Sequence, residues 1–271
     1  MRVLRSPCFV FSDVHLGVTP PGVERALLGF LDHVRDAAGS VIINGDLFDF
    51  WFEWRTVIPR AGFRVLASLA RLTEAGIPVL WIAGNHDCWG GEVLTRDVGV
   101  TYHVGTWSGD IAGWRTRIDH GDGLRDVEDK RYRRLRSVLR HRWSIRAFRW
   151  IHPDLGSRIA LGSSQASRTY RARDGGEGLR TVAHRELAAA PGVELLIYGH
   201  SHVPVLERGT HGVYANAGTW MDDTTYLTIR EDAVRLHRWS VDDPAQEVSI
   251  VRRESTGPAA AINWLPLLQV A

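Results

Sequence analysis

Residues 77–87 read IPVLWIAGNHD. An apolar run stops at a glycine, and an amide, an imidazole and a carboxylate follow at once. A continuous, partly β-branched run bounded by turn residues is the pattern of a strand buried on both faces, as in parallel sheets. Working outward, the pattern recurs in CFVFSDVH (8–15) and SVIINGD (40–46), apolar runs that end in Asp and His. Between them, 23–37 has helical periodicity, with Val23, Ala26, Leu27, Phe30, Leu31 and Val34 on one face. A second helix is predicted over 60–75, with Phe63, Leu66, Ala67 and Ala70 on one side. Strand, helix, strand, helix, strand implies right-handed crossovers and a parallel sheet.

The chain then changes character. TYHV (101–104), TWSGDIAGW (106–114) and RTRIDHGD (115–122) read as antiparallel strands. VELLIYGHSH, PVLERGTHG, VYANAGTW and YLTIREDAVRLHRW continue as strands to residue 239. The fold class expected is an α/β sandwich of two sheets. Residues 1–124 and 179–252 form its core, 125–178 are a helical insertion, and 253–271 are an apolar tail that packs on the core or offers a contact surface. Trp81, Trp107, Trp114 and Trp239 are expected in the core. Trp220 is expected to pack under the site, with Asn216 as a support.

The totals narrow the function. The charge of +2 excludes a polycation, and 44% apolar with 24% charged residues is ordinary for a globular protein. No stretch approaches the ~18 consecutive apolar residues of a membrane span. The start is too short in apolar residues for a signal peptide, which points to a cytosolic protein. Cys8 and Cys88 cannot make a disulfide framework. The twelve histidines are unusual in placement: SDVH, GNHD, DHGD and GHSH all set them beside Gly or Asp at the ends of apolar runs.

Open α/β sheets bind ligands at the carboxyl ends of their strands. Strand one brings Asp13 and His15, strand two Asp46, and strand three Asn85 and His86. His120 comes next, then His200 and His202. In a strand the i and i+2 side chains point the same way, so each such pair can reach one ion. Two divalent ions ~3.5–4 Å apart need a bridging carboxylate, and Asp46 suits that place. Mixed oxygen and nitrogen donors fit Mn, Fe, Zn or Co rather than Ca. Gly45, Gly84, Gly121 and Gly199 would let the backbone turn after each strand. Any one cluster occurs by chance in solvated turns; five in order, each behind an apolar run, indicate a built site.

SDVHLG, GDLFD, GNHD, HGD and GHSH together resemble the calcineurin-like metallophosphoesterase superfamily over about residues 8–220. The resemblance implies a four-layer α-β-β-α sandwich. It implies that Asp13, His15, Asp46 and His202 hold one metal, and Asp46, Asn85, His120 and His200 the other. Asp46 is then also catalytic, as the ligand shared by both ions. It implies that His86 binds no metal and protonates a leaving oxygen or steadies the phosphoryl group. Manganese heads the expected cofactors. Asn85, being neutral, limits the negative charge facing an anionic substrate, and Asp87 is expected to orient a neighbour.

Within the superfamily, GDLFDFW and the HGDGL segment with its following helices look like the UDP-2,3-diacylglucosamine diphosphatase branch of lipid A synthesis. That likeness implies a nucleotide-sugar lipid substrate, a lid over its acyl chains, and peripheral attachment to an anionic membrane at its inner face. Between 125 and 149 stand nine Arg and one Lys against three acids, with Tyr132, Leu135, Leu139 and Trp143 at roughly helical spacing. Such a stripe suits an acyl chain joined to a phosphate, and equally a solvated helix on a core. DFWFEW (49–54) would line the same groove. By motif match the substrate-binding residues are Asn85 and His86 together with Asp129, Tyr132, Ser167 and Arg168 of the insertion. The chain departs at His86, where the best-known branch carries Arg; Arg is a fixed charge, whereas His can also act as an acid. The alternatives are a general phosphodiesterase, phosphatase or nuclease of the superfamily, or a non-catalytic scaffold. No nucleic-acid module is visible, and every ligand position is filled.

Overall fold

A computed structural model describes residues 4–126, 129–160, 162 and 174–254. Ser167, Arg168 and nearly all of the tail lie outside the described residues.

The alternation in the first strands decides the layering. β1 (Cys8–Phe11), β2 (Ser40–Asn44) and β3 (Val79–Ile82) are buried along their whole length. Phe9, Phe11, Val41, Ile43, Val79 and Trp81 face one core, while Cys8, Val10, Ile42, Leu80 and Ile82 face another. A strand with two apolar faces must be covered on both sides. α1 (Pro21–Ala37) and α2 (Phe63–Glu74) cover the first face. α1 begins with Pro21 in its first turn and buries Leu27, Phe30, Leu31 and Val34, each contributing about 1.5–3 kcal/mol.

The expected face of the second helix is corrected. Its buried residues are Val65, Leu66, Ser68, Leu69 and Leu72, whereas Phe63 is 66% exposed. Phe63, the first residue of the helix, and Ala67 face solvent, and the buried stripe starts at Val65.

β1, β2, β3 and β4 (Thr101–His103) run parallel and form one side of a seven-stranded sheet in the order β12-β11-β10-β1-β2-β3-β4. The antiparallel expectation for 101–104 is therefore not met. The link from β3 runs across the chain through a π-helical turn at Val93–Asp97, a crossover and not a hairpin. β5 (Trp107–Ile111) and β6 (Trp114–Ile118) do form an antiparallel hairpin, joined by Ala112 and Gly113 with φ of 51° and 82°.

The insertion comes after β6. It contains α3 (Lys130–Leu139), α4 (Arg142–Phe148) and a helical stretch over 153–160. α5 (Glu177–Ala189) then leads to β7 (Leu195–Tyr198), which lies parallel to β6 because a long crossover separates them. β8 (Val205–Gly209) and β9 (Gly212–Asn216) complete a five-stranded sheet, order β5-β6-β7-β9-β8. The expected last strand is two, β10 (Thr225–Ile229) and β11 (Ala233–Arg238), followed by β12 (Gln246–Arg252). The two sheets meet across a core that includes Trp107, Trp114, Ile118, Leu195 and Ile197. Leu179, Val182, Ala183 and Leu187 of α5 cover Leu196, Tyr198 and Tyr214 on the outer side. The result is helix, sheet, sheet, helix. Trp81, Trp107, Trp114 and Trp239 are buried.

Candidate metal centre

The carboxyl ends of β1, β2 and β3 in one sheet and of β6 and β7 in the other converge. Asp13 and His15 follow β1, Asp46 follows β2, Asn85 and His86 follow β3, His120 follows β6, and His200 and His202 follow β7. The paired residues do not lie in the strands themselves, so strand periodicity is not what aims them together. Asp13, His15, Asp46, His200 and His202 instead take left-handed backbone conformations, with φ between 53° and 62°. Each costs about 1–2 kcal/mol in a non-glycine residue. Asp13 and His15 are laced to the neighbouring turn: Asp13 N–H donates to Gly45 O at 3.1 Å, and the N–H groups of Val14 and His15 donate to Asp46 O at 3.0 Å. His200 N–H donates to the Asp13 carboxylate at 3.1 Å.

The glycines act by absence of bulk as much as by turning. A Cβ on Gly84 would lie 2.1 Å from Asp46 Oδ1, and one on Gly45 would lie 2.4 Å from His120 Nδ1. Gly45 and Gly121 also have positive φ; Gly84 and Gly199 do not.

Asp46 Oδ2 is the centre of the cluster. It lies 3.2 Å from His120 Nε2, 3.8 Å from His15 Nε2 and 3.9 Å from His86 Nε2. On one side Asp13, His15 and His202 bring donor atoms within 4.8 Å of one another; on the other, Asp46, His120 and His200 do the same. His202 Nε2 stands 3.3 Å from Asp13 Oδ1 and 3.1 Å from His15 Nε2. Asn85 Oδ1 is buried and has no hydrogen-bond partner among the described residues. A buried carbonyl left so costs about 1–3 kcal/mol, which a cation ligated there would offset. Neutral imidazole, carboxylate and one amide oxygen are a donor set for divalent transition metals. The residues present fit two such ions.

The electrostatics agree. Burial would raise the Asp46 carboxyl, but His120, His86 and His15 around it hold it well below the usual range. Burial likewise opposes charge on His120, yet Asp46, with Asp13 and Asp122 behind it, lifts that imidazole to about 10. His120 Nδ1–H donates to Asn44 O at 2.8 Å, so Nε2 is the edge turned to Asp46.

Of the residues that brace the centre, Asp49 was not assigned from the sequence, whereas Asp87, Asn216 and Trp220 were. The Asp49 carboxylate, the last residue of GDLFD, lies 3.3 Å from His15 Nδ1 and 3.8 Å from His86 Nδ1. His86 Nδ1–H donates to the Asp49 carbonyl at 2.8 Å. Asp87 accepts from Gly84 N–H at 2.8 Å, Leu47 N–H at 2.9 Å and the Trp81 indole at 3.3 Å, tying the second and third loops together. Asn216 Nδ2 donates to Gly199 O at 2.8 Å beneath GHSH, and Trp220 is buried against Phe30. Only position within a block marked Asp49 in the sequence; its partners come from other strands.

The insertion touches the centre through α3. Asp122, 1% exposed, accepts from Tyr132 Oη at 2.8 Å and pairs with Arg136 Nε at 3.3 Å and an Arg140 nitrogen at 3.2 Å. Tyr132 is thus tied to the loop that carries His120. Asp129 is held apart from the donors: the Arg125 guanidinium donates to its carboxylate at 2.9 Å and the Arg125 N–H at 3.0 Å. A cavity of about 310 Å³ opens from Asn85 and His86 toward Phe50, Trp89, Leu139 and Phe148. Phe52 and Trp54 pack behind it against Phe148. Trp51 lies instead in the α1–α2 core, and Glu53 accepts the N–H groups of Gly91, Val93 and Leu94. DFWFEW therefore lines the groove at Phe50 and buttresses it elsewhere.

The chain is similar to known proteins. The model of the calcineurin-like phosphoesterase family matches residues 6–204. A Porphyromonas gingivalis protein named UDP-2,3-diacylglucosamine hydrolase is 29% identical, covering 84% of this chain and 99% of that one. Proteins of the same name from Shewanella pealeana and Vibrio vulnificus are 28% and 26% identical, covering 83% and 84% of this chain and 94% and 95% of theirs.

Proposed function

This chain belongs to the calcineurin-like phosphoesterase family and is a hydrolase. From that premise we propose that it cleaves the diphosphate of UDP-2,3-diacylglucosamine, or a close nucleotide-sugar lipid, to UMP and an acylated glucosamine 1-phosphate. One observation carries the reading: the apolar cavity opens directly off Asn85 and His86, between the metal donors and the helical insertion. A small phosphoester needs no such wall; an acyl chain beside a diphosphate does. The names of the relatives support the same substrate.

Asp13, His15, Asp46 and His202 would hold one divalent ion, and Asp46, Asn85, His120 and His200 the other; the mixed donors admit manganese, iron, zinc or cobalt. Divalent ions held there would supply activation of a water as nucleophile and would offset charge developing on the phosphoryl group. Asp46 is common to both sets, so its loss removes both. His86 is oriented by the Asp49 carbonyl, which accepts its Nδ1–H and turns the Nε2 edge inward. Protonated, Nε2 can give its proton to the departing phosphate oxygen or hold the charge there. Asn85 meets the substrate's anionic face without adding charge, and Tyr132 keeps the insertion against the site through Asp122.

The insertion also presents the protein to a membrane. Leu135, Val138, Trp143, Trp150, Leu155 and Ile159 are exposed among arginines, Trp150 at 86%. Aromatic and aliphatic residues edged by Arg fit an anionic bilayer surface. No helix among the described residues is long and apolar enough to cross a membrane. We place the protein peripherally, at the inner face.

The test is Mn-dependent hydrolysis of UDP-2,3-diacylglucosamine beside bis-p-nitrophenyl phosphate, wild type against Asp46→Ala. UMP release faster than nitrophenol release by about 100-fold in kcat/KM, with both lost in Asp46→Ala, is expected. Equal turnover of the two esters would keep the metal chemistry and reject the lipid.

A further inference from the structure

The insertion meets the core at two feet. It enters after Asp122, through Arg125 and Asp129, and leaves through Asp174, Gly175 and Gly176 into α5. The entry continues the loop that carries His120. The exit runs along the loop that carries His200 and His202: a Cβ on Gly176 would lie 3.3 Å from Val203 Cβ and 3.6 Å from Ser201 Oγ. Each foot therefore adjoins a loop of metal donors, and whatever joins the feet sets where the insertion stands over the centre.

One side chain joins them. The Arg125 guanidinium donates to Asp129 Oδ1 at 2.9 Å through one terminal nitrogen and to Asp174 Oδ2 at 3.0 Å through the other. Its Nε reaches Asp129 Oδ2 at 3.3 Å, and its backbone N–H donates to the same oxygen at 3.0 Å. Asp129 stands at the N-cap of α3, where an Asp side chain ordinarily accepts from the first helical N–H groups, yet it makes no such bond. Both of its oxygens serve Arg125 instead. Gly178, in the first turn of α5, leaves the room: a Cβ there would lie 2.7 Å from Arg125 Cδ and 2.8 Å from Asp174 Oδ2. Its φ is not positive, so the helix alone would favour alanine at that position. The Arg125 side chain is only 13% exposed, so salt screens it little. The neighbouring Arg185–Asp126 pair also links entry to α5, but both side chains are more than half exposed, and such pairs hold weakly.

We propose that Arg125 is a positioning residue for the long substrate: by clasping both feet of the insertion it fixes α3, and with it the Leu139 wall of the cavity that opens off Asn85 and His86. Asp122 holds α3 to the His120 loop but does not reach the exit; Arg125 spans from one foot to the other. Asp129 is then spent on the clasp, with neither carboxylate oxygen left unengaged for the substrate. The inference rests on the reading above, in which that cavity takes an acyl chain.

Steady-state kinetics of Arg125→Met on UDP-2,3-diacylglucosamine and on bis-p-nitrophenyl phosphate test it. KM for the lipid should rise about 10–100-fold while kcat changes less than about threefold. Both constants for the small ester, which needs the metal centre alone, should stay within about twofold. Asp174→Asn should act in the same direction, and adding it to Arg125→Met should cost nothing more, because both remove one link. Gly178→Ala pushes the clasp aside while favouring the helix; it should also raise KM for the lipid, and it serves if Arg125→Met does not fold. Hydrogen exchange needs no substrate: amides of α3 should exchange at least about tenfold faster in Arg125→Met, with β6 and β7 unchanged. A wild type that leaves the lipid uncut would sink the substrate reading, and exchange would then judge the clasp alone. An unchanged KM for the lipid, equal loss on both esters, additive effects of the two substitutions, or unaltered exchange in α3 would each overturn the proposal.

Discussion

Five of the metal-ligand candidates carry left-handed backbone, and that conformation is what turns their side chains into one volume. Asp and His tolerate it better than β-branched residues do, but the conformation is held against its preference by the lacing of each loop to the next. Gly84 shows how little room remains. Its φ is not positive, so Gly84→Ala adds no backbone strain; the new Cβ would instead sit 2.1 Å from Asp46 Oδ1 and 2.5 Å from Asp46 N. The backbone nitrogen cannot swing aside, so Asp46 must shift. Gly84→Ala should lower divalent-ion affinity and turnover about 10–100-fold with an unchanged circular dichroism spectrum, measured by titration calorimetry and assay. A second expectation comes from His120. Its imidazole is held protonated up to about 10 by Asp46 and the acids behind it, whereas a cation needs it neutral. Cation binding near pH 7 must therefore release a proton, and affinity should fall as pH falls. Calorimetry in buffers of different ionisation enthalpy would reveal the release, and a pH-independent affinity would contradict it.

At the scale of elements, one carboxylate gathers most of the charged side chains that tie α3 to the centre. Asp122 receives Tyr132, Arg136 and Arg140, and an Arg140 nitrogen also reaches Gly84 O at 3.3 Å. Removing a buried partner of charged groups strands them, at a cost of about 3–5 kcal/mol. α3 has no fully buried apolar stripe to replace that bond: Leu135 and Val138 are more than half exposed. Asp122→Ala should therefore release the helix locally. Trypsin should cut within 130–142 at least about tenfold faster under native conditions, while lipid turnover falls more than turnover of the small diester. Equal loss of both activities would mean that Asp122 serves the metal loop alone. α1 is held differently: there Leu27, Phe30, Leu31 and Val34 anchor the helix by burial, and no single polar contact decides its place.

At the scale of the molecule, the donors come from two sheets, so cations bound by them would tie the sheets together at one edge. The inter-sheet core is apolar and continuous without them. Removal of divalent ions by chelation should leave the secondary structure in place but lower Tm. At a cation concentration 100 times Kd one site contributes about 2.7 kcal/mol, worth roughly 5–10 °C in a chain of this size. Calorimetric scans with and without manganese would measure it, and an unchanged Tm would argue that the donors hold no ion.

The sequence by itself determined the layers and the order of the site. The continuous apolar runs of β1, β2 and β3 demanded cover on both faces, and every metal-donor residue stood where an apolar run stopped; these are local patterns, readable along the chain. Helix α2's face was misread because Phe63 obeys the helical period but faces solvent, which only packing reveals. β4 was misjudged in direction because a crossover and a hairpin look alike until partners are known. The left-handed ligands, the place of Asp49 behind His15, and the hold of Asp122 on α3 were likewise decided by tertiary structure. Each depends on a group from a distant part of the chain, and a backbone conformation that costs free energy persists only where such groups hold it.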